Sequence, residues 1–362
     1  MAKQMNKKIV LADGSEYYGY GFGADVERVC EIVFDTSMVG YQEIISDPSY
    51  TNQMVVMTYT LIGNYGMTDD DYESKTLTCG ALVVREYNDL PSNFRYTKTL
   101  AETMEESDIP GIEGLDTREL TRKLRDHGSC KALITSADTP KEKALSLIAE
   151  TELPTNAVSK VSCRKRWYAR TANAKYNVVA IDCGARLGVI RTLNEKGCNV
   201  TVMPYNISVG DVERMNPDAI LISEGPGNPE DVPEVVELIR ALKGKYPIAG
   251  IGLGHQLIAL AYGAKIYKMQ CGHHGCNHPI RNLKTNTIRT ATQNHNYAVD
   301  PMSVDETDLK VTHLDITDDT VEGLCCEKDR VFSIQYHPDT MSGPVGSVGF
   351  YEEFIGLMKE GK

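Results

Sequence analysis

The chain lacks any apolar run of about 18 residues, and its first eight residues are polar and rich in lysine. These features exclude a transmembrane helix and a secretory signal peptide, so we expect a cytoplasmic protein with no membrane partner. An excess of positive charge is also absent, because 38 Lys and Arg residues are outnumbered by 50 Asp and Glu residues, for a formal net charge of -12. The one compact basic run, residues 164–166, is interpreted as a solvated linker or partner-docking surface, and no nucleic-acid binding is expected.

The ten cysteines show no short-domain framework spacing, so we expect reduced thiols rather than disulfides. No G-x-x-x-x-G-K-[ST] loop occurs, which leaves the chain without this type of nucleotide-phosphate site. At 362 residues, the chain is long enough for two domains.

Hydrophobic patterning changes once along the chain. A short apolar run, the turn signal Asp13-Gly14 and a second run predict a hairpin, and residues 116–128 predict a short helix with a cap at Asp116 or Thr117 and a stop at Gly128. No sustained period covers residues 151–175, which we interpret as a linker between domains at 1–150 and 176–362. Beyond it, buried strands predicted at 178–181, 200–203, 219–222 and 248–251 alternate with helical segments. This alternation predicts an α/β fold with a parallel sheet.

The last of these strands runs into a glycine frame at residues 250–254, GIGLG, followed by a helical segment. This is the pattern of a nucleophile elbow, in which the middle residue projects at the mouth of the sheet. Here the middle residue is Gly252. Three further segments, SEGPGNP at 223–229, QNHNY at 293–297 and QYHPD at 335–339, are expected to reach the same crevice.

Together these motifs resemble those of class I glutamine amidotransferases, with a GPG loop, an elbow and a late H-P-E. Within that group the chain is similar to the small subunit of carbamoyl phosphate synthetase, on GHHGCNHP at 272–279 and QNH at 293–295. The first half carries further matching segments: FDTSMVGYQE at 34–43, DPSY at 47–50, IGN at 62–64, SNFR at 92–95 and LDTR at 115–118.

The resemblance implies a fold made of an N-terminal mixed β/α domain and a C-terminal amidotransferase domain. It implies roles for three positions in a cysteine triad: Gly252 at the nucleophile, His337 as the base, and Asp339 as the residue that orients it. The oxyanion is assigned to the backbone N–H groups of Leu253 and Gly225. The implied glutamine-binding residues are Ser49, Gly225, Gly227, Gln256, Asn294, Asn296 and Tyr297.

Several positions depart from the family pattern, in which cysteine stands at the position of Gly252, glutamate at Asp339, asparagine at Glu224 and glycine at Asn296. Residues 186–188 also depart, since the family usually has lysine first and asparagine third. Glycine offers no atom that could form a thioester, so we expect that this chain has lost its own glutamine hydrolysis. A single change engineered to trap substrate and natural loss of function both remain open, and the clustering of departures favours the second.

The implied function is that of a subunit of a glutamine-hydrolysing ligase that makes carbamoyl phosphate for arginine and pyrimidine synthesis. L-Glutamine and a large partner subunit are expected to bind, with ATP and metal on the large subunit and no cofactor in this chain. The alternative is a non-catalytic scaffold or glutamine-sensing subunit of an ammonia-dependent synthetase. Zinc ligation by the Cys/His cluster at 271–278 is disfavoured, because so short a segment cannot point all its ligands inward, and no metal is expected.

Overall fold

A computed structural model of the chain describes residues 4–338 and 349–360. The chain forms two compact units. Unit 1 comprises Met1–Pro154 with Gln270–His274, and unit 2 comprises Thr155–Met269 with Gly275–Lys362.

Unit 1 contains a closed barrel whose strand order is β1-β2-β8-β6-β4-β3-β9, beside a small β5-β7 sheet. Its strands are β1 Lys7–Leu11, β2 Glu16–Gly23, β3 Arg28–Asp35, β4 Gln53–Met57, β5 Leu61–Ile62, β6 Ala81–Val83, β7 Glu86–Tyr87, β8 Pro110–Glu113 and β9 Cys130–Ser136. Its helices are α1 Tyr41–Ser46, α2 Leu100–Glu106, α3 Thr117–His127 and α4 Lys141–Glu150, with a 3-10 turn at Pro48–Tyr50.

Two local predictions in unit 1 are confirmed. The hairpin forms between β1 and β2, with Val10 opposite Glu16 and Gly14 at φ +84° in the turn. The short helix is α3, whose first turn is capped by the Asp116 carboxylate accepting the Glu119 N–H at 3.0 Å. Gly128 ends it at φ +90°, a conformation that favours glycine.

Unit 2 is built around a ten-stranded sheet in the order β10-β12-β11-β13-β14-β19-β18-β17-β15-β16. Its strands are β10 Trp167–Ala169, β11 Tyr176–Asp182, β12 Cys198–Pro204, β13 Ala219–Ile222, β14 Ile248–Ile251, β15 Ile266–Asn282, β16 Thr287–Val299, β17 Lys310–Asp315, β18 Val321–Cys326 and β19 Val331–Ile334. Its helices are α5 Ala157–Val161, α6 Leu187–Glu195, α7 Val209–Arg214, α8 Pro233–Leu242, α9 Leu253–Tyr262, α10 Pro301–Val304 and α11 Gly349–Glu360, with a 3-10 turn at Pro229–Asp231.

The predicted α/β fold is confirmed, and the predicted parallel strands are β11 to β14. Strands β12, β11, β13, β14 and β19 are parallel neighbours. Along β11, Val179 and Ile181 pack into one apolar cluster while Val178 and Ala180 pack into another. Burial on both faces is why residues 178–181 of β11 are apolar at consecutive positions.

Residues 151–175, expected to be a linker, contain regular structure. Helix α5 lies in this range, and β10 pairs antiparallel with β12 through Trp167 and Val202. Residues 155–175 belong to unit 2. A seam within 151–175 stays a prediction.

Candidate active site

The strand-to-helix turn between β14 and α9 has the geometry of an elbow. Gly252 lies between the two elements at φ +54°, ψ -112°. Residues with a Cβ are excluded from this region by steric clash unless the surrounding structure forces them into it. The turn therefore places position 252 at the carboxyl edge of the sheet with no side chain on it.

The flanking glycines of the turn are required by close approach of the backbone. A Cβ added at Gly254 would lie 2.2 Å from the Ile222 carbonyl oxygen on β13. A Cβ at Gly250 would lie 2.6 Å from Ile258 Cδ1 on α9 and 2.8 Å from the Gly254 carbonyl carbon. At both positions a side chain would collide with neighbouring atoms, so the close approach of α9 to the sheet depends on the two outer glycines.

The space around Gly252 is bounded by two neighbouring loops. A Cβ built on Gly252 would lie 3.2 Å from Glu224 Cβ, in the loop after β13, and 3.8 Å from the Gln335 carbonyl oxygen, just after β19. Ile251 is in register with Ile334, and Gly250 with Ile222, so the three strands end side by side. Position 252 is therefore the centre of the crevice.

The two backbone groups assigned to the oxyanion lie in this crevice. Leu253 is the first residue of α9, so its N–H falls outside the hydrogen-bond ladder of the helix. Gly225 approaches the end of β11 so closely that a Cβ would lie 2.2 Å from the Cys183 carbonyl oxygen. The sheet edge thus brings the two positions into one region, and their role as an oxyanion hole stays a prediction.

Glu224 is buried at the side of the crevice, with 1% of its surface exposed. Its Oε1 accepts a hydrogen bond from the Arg186 backbone N–H at 2.7 Å, immediately before α6. The neighbouring Ser223 hydroxyl donates to the Glu224 carbonyl at 2.8 Å and accepts the Cys183 N–H at 2.9 Å. The loop after β13 is therefore tied to the loop after β11.

His337 follows β19 and is buried. Its backbone N–H donates to the Thr292 carbonyl on β16 at 2.9 Å. It lies two residues after Gln335, whose carbonyl bounds the space at Gly252. Asp339, the predicted orienting residue, lies outside the described residues.

Most of the predicted glutamine-binding residues lie in unit 2. Gln256 on α9 donates from Nε2 to the Tyr297 carbonyl at 2.7 Å and to Gln335 Oε1 at 2.9 Å, which joins α9 to β16 and to the end of β19. Asn294, Asn296 and Tyr297 are on β16, and Gly227, at φ +89°, is in the loop after β13. Ser49 is in unit 1, where its N–H donates to Asp47 Oδ1 at 2.8 Å within the 3-10 turn.

A buried polar network behind the crevice was missed from the sequence. Glu322 on β18 is fully buried; its Oε2 accepts Gln293 Nε2 at 2.6 Å, and its Oε1 lies 3.7 Å from His295 Nε2. His295 Nδ1 lies 2.8 Å from the Tyr297 carbonyl oxygen. The network therefore supports the part of β16 that carries the predicted pocket. The available signal was an acidic residue in the otherwise apolar run of β18.

Two other thiols of the chain, Cys183 and Cys271, have surroundings that do not suit a nucleophile. Burial raises the pKa of the Cys183 thiol well above its ordinary value, and the neighbouring Asp182 and Glu224 charges raise it further. Burial likewise raises the pKa of Cys271. Since the thiolate is the reactive form, both are poor nucleophiles. That no metal is bound stays a prediction.

His255, next to the elbow, is fully buried beside the Ser333 hydroxyl, which lies 2.9 Å from its Nδ1. Burial lowers its pKa from 6.5 to about 3, so it stays neutral in the folded chain across the neutral and mildly acidic range. The unfolded chain binds a proton there below pH 6.5, so the stability this group contributes is complete above that pH and falls as the pH drops toward 3.

We therefore expect acid to destabilise the native chain more than a His255→Gln variant. Between pH 7.5 and 5.0, the difference in the loss of unfolding free energy should reach about 2 kcal/mol. Urea unfolding at both pH values measures it. His127→Gln, at an exposed position, is the control and should behave like the native chain. Equal losses in the native chain and His255→Gln would contradict a buried neutral imidazole.

Comparison with known proteins connects this geometry to a family. Residues 9–134 match the model described as carbamoyl-phosphate synthase small chain, CPSase domain, and residues 179–357 match glutamine amidotransferase class-I. The chain is 48% identical over 354 residues to the carbamoyl phosphate synthase small chain of Staphylococcus saprophyticus, covering 98% of this chain and 96% of that one. The chain belongs to the carbamoyl phosphate synthase small chain family.

Other carbamoyl phosphate synthase small chains match over a similar extent. The chain is 45% identical over 350 residues to that of Fusobacterium nucleatum, covering 97% of each. It is 44% identical over 355 residues to the pyrimidine-specific small chain of Bacillus subtilis, covering 98% of this chain and 96% of that one. Among its described residues, the chain forms no helix with the length and apolar character needed to span a bilayer.

Proposed function

We propose that this chain is the small subunit of a carbamoyl phosphate synthase whose own glutamine hydrolysis has been lost. Support comes from similarity to a small chain over 98% of this chain and from an amidotransferase match that includes residues 250–254. The observation that carries the second part is Gly252, which occupies the elbow at φ +54° with no side chain to attack a substrate.

The chemistry expected of an amidotransferase explains why the residue at position 252 decides whether the chain hydrolyses glutamine. A cysteine thiolate attacks the side-chain amide of glutamine, ammonia leaves, and water hydrolyses the thioester. His337 would move the proton, Asp339 would orient His337, and the N–H groups of Leu253 and Gly225 would hold the oxyanion. Without an attacking sulfur, only binding and polarisation remain, which together give about 10³-fold acceleration over water.

Glutamine binding is a separate property from hydrolysis. In unit 2, the residues of the proposed pocket are Gly225, Gly227, Gln256, Asn294, Asn296 and Tyr297. Its framework is held by the hydrogen bonds of Gln256 and by the buried Glu322 network. We assign this pocket to L-glutamine, held without turnover.

The remaining chemistry belongs to a large partner subunit in a cytoplasmic heteromer. The sequence has no G-x-x-x-x-G-K-[ST] loop. ATP and its metal are accordingly assigned to the large subunit, and this chain needs no cofactor. The product serves pyrimidine synthesis, as the name of the Bacillus subtilis relative suggests, and arginine synthesis by the same chemistry.

The chain should form a stable complex with its cognate large subunit. Residues 9–134 match the CPSase domain of small chains, and the chain aligns with 96% of the Staphylococcus saprophyticus small chain. Co-expression followed by size-exclusion chromatography should give co-elution at the summed mass. Separate elution of the two chains would contradict the assignment.

The complex should use ammonium and not glutamine as its nitrogen donor. Ammonia release from glutamine by the unmodified chain should stay at background, because position 252 supplies no nucleophile. Carbamoyl phosphate should form at an ordinary rate when ammonium is added, since that step does not pass through this crevice. Ordinary glutaminase turnover by the unmodified chain would overturn the proposal.

A second candidate function is that of a glutamine-sensing scaffold. It is favoured by the buried carboxylate of Glu224, which lies beside the elbow glycine Gly252. Titration calorimetry with glutamine distinguishes the two. Saturable heat, together with a change in the ammonium-dependent rate, favours sensing. Binding without any change in rate favours a subunit that has only lost its reaction.

A further inference from the structure

Among the side chains around the elbow, that of Glu224 lies closest to position 252. A Cβ at position 252 would lie 3.2 Å from Glu224 Cβ and 3.6 Å from Glu224 Cα. Carbon atoms pack at about 3.5–4.0 Å, so the first contact is compressed by a few tenths of an ångström. Any residue larger than glycine at 252 therefore presses on the Cβ of Glu224, while its contact with the Glu224 Cα is of ordinary length.

The segment that carries Glu224 has little freedom to retreat. The Ser223 N–H donates to the Ile181 carbonyl at 3.1 Å, and the Ser223 hydroxyl bridges the Cys183 N–H and the Glu224 carbonyl. On the other side, the Gly225 backbone already lies against the Cys183 carbonyl, with no room even for a Cβ. Relief of the contact at 252 therefore requires the backbone at 224 or at 252 to move, because the position of the Glu224 Cβ is set by its own backbone.

The carboxylate of Glu224 is held in the protein interior. Its Oε1 accepts the Arg186 N–H just before α6, a nine-residue helix whose N-terminal end favours negative charge. The side chain is 1% exposed, so water screens its charge poorly. A second anion placed beside it, such as a thiolate at 252, is disfavoured by like-charge repulsion.

We propose that Glu224 determines which chemistry position 252 can support, limiting the space there through its Cβ and suppressing an anionic nucleophile there through its carboxylate. This inference rests on the proposed function, in which position 252 is the nucleophile position. Glu224 acts as a positioning residue, since it works through the residue at 252. A thiol restored at 252 should be deprotonated less readily, and should react about tenfold more slowly at pH 7, than the same thiol beside an uncharged residue at 224.

Alkylation of a thiol introduced at 252 tests the charge effect without glutamine. Iodoacetamide labelling of Gly252→Cys is followed against pH by peptide mass spectrometry, which separates the new thiol from the ten native cysteines. Adding Glu224→Gln keeps the side-chain length and an oxygen for the Arg186 N–H but removes the charge. We expect the midpoint of the pH profile to fall by at least about one unit, which means about tenfold faster labelling at pH 7.

The matched control adds Glu230→Gln, an exposed acid in the 3-10 turn of the same loop, and should leave the profile of Gly252→Cys unchanged. Coincident profiles for Gly252→Cys with and without Glu224→Gln would overturn the charge effect. The result does not depend on glutaminase activity, so its failure is distinct from failure of the proposed function.

Thermal unfolding tests the effect on space and needs no thiol. Gly252→Ala should lower the Tm through both the positive φ and the contact with Glu224. In a Glu224→Gly background only the backbone strain remains, so the same change should lower the Tm by clearly less. Equal losses of Tm in the two backgrounds would overturn the steric effect. Because these variants contain no new thiol, the steric effect can be tested even if Gly252→Cys folds poorly.

Discussion

Gly252→Cys is expected to raise glutamine hydrolysis by the complex by about 10³-fold or more, because removal of a covalent nucleophile costs about 10⁶-fold in comparable hydrolases. The new thiol would lie at the carboxyl edge of the sheet, where Leu253 and Gly225 supply backbone N–H groups. The expected gain is smaller than the full loss, since the buried Glu224 carboxylate holds the thiol in its protonated form. Ammonia release from glutamine measures the gain.

Two further variants make this result interpretable. Gly252→Ala introduces the same Cβ without a nucleophile and should stay at the background of the unmodified chain. Gly252→Cys with Glu224→Gln should exceed the single variant by about tenfold, in step with the larger thiolate fraction. A doubly changed chain that is alkylated readily but hydrolyses no glutamine would contradict the proposed site.

Gly254→Ala is expected to destabilise unit 2 by about 3 kcal/mol, the upper end of the usual cost of overpacking. The added Cβ would lie 2.2 Å from the Ile222 carbonyl oxygen and 2.8 Å from its carbon, so backbone rather than a flexible side chain must move. For a unit of this size, the midpoint of thermal unfolding should fall by roughly 6–12 °C. Thermal unfolding followed by circular dichroism measures the change.

Gly210→Ala is the matched control for that variant. Gly210 lies in α7, has no atom within 4 Å of an added Cβ and does not need a positive φ. Alanine is a better helix former than glycine, so this change should stabilise the chain by about 0.5–1 kcal/mol. Equal effects of alanine at 254 and 210 would show that α9 does not press on β13 as described.

Much of the fold followed from local sequence pattern. The hairpin of β1 and β2, the capped helix α3 and strands β11 to β14 were all predicted, because turn residues, caps and runs of apolar residues act over a few positions. The closure of the seven-stranded barrel and the antiparallel half of the unit 2 sheet were not predicted. Strand order there depends on pairings between distant segments, which leave no local signal.

The sequence by itself determined the glycine frame at residues 250–254, and it predicted that this frame is an elbow that lacks its nucleophile. Only the tertiary structure decided that Glu224 closes the space beside Gly252 and that Glu322 supports β16 through Gln293. The two residues of each pair lie about thirty positions apart. Their contact is set by the register of neighbouring strands and the packing of loops at the sheet edge, which no local period in the sequence encodes.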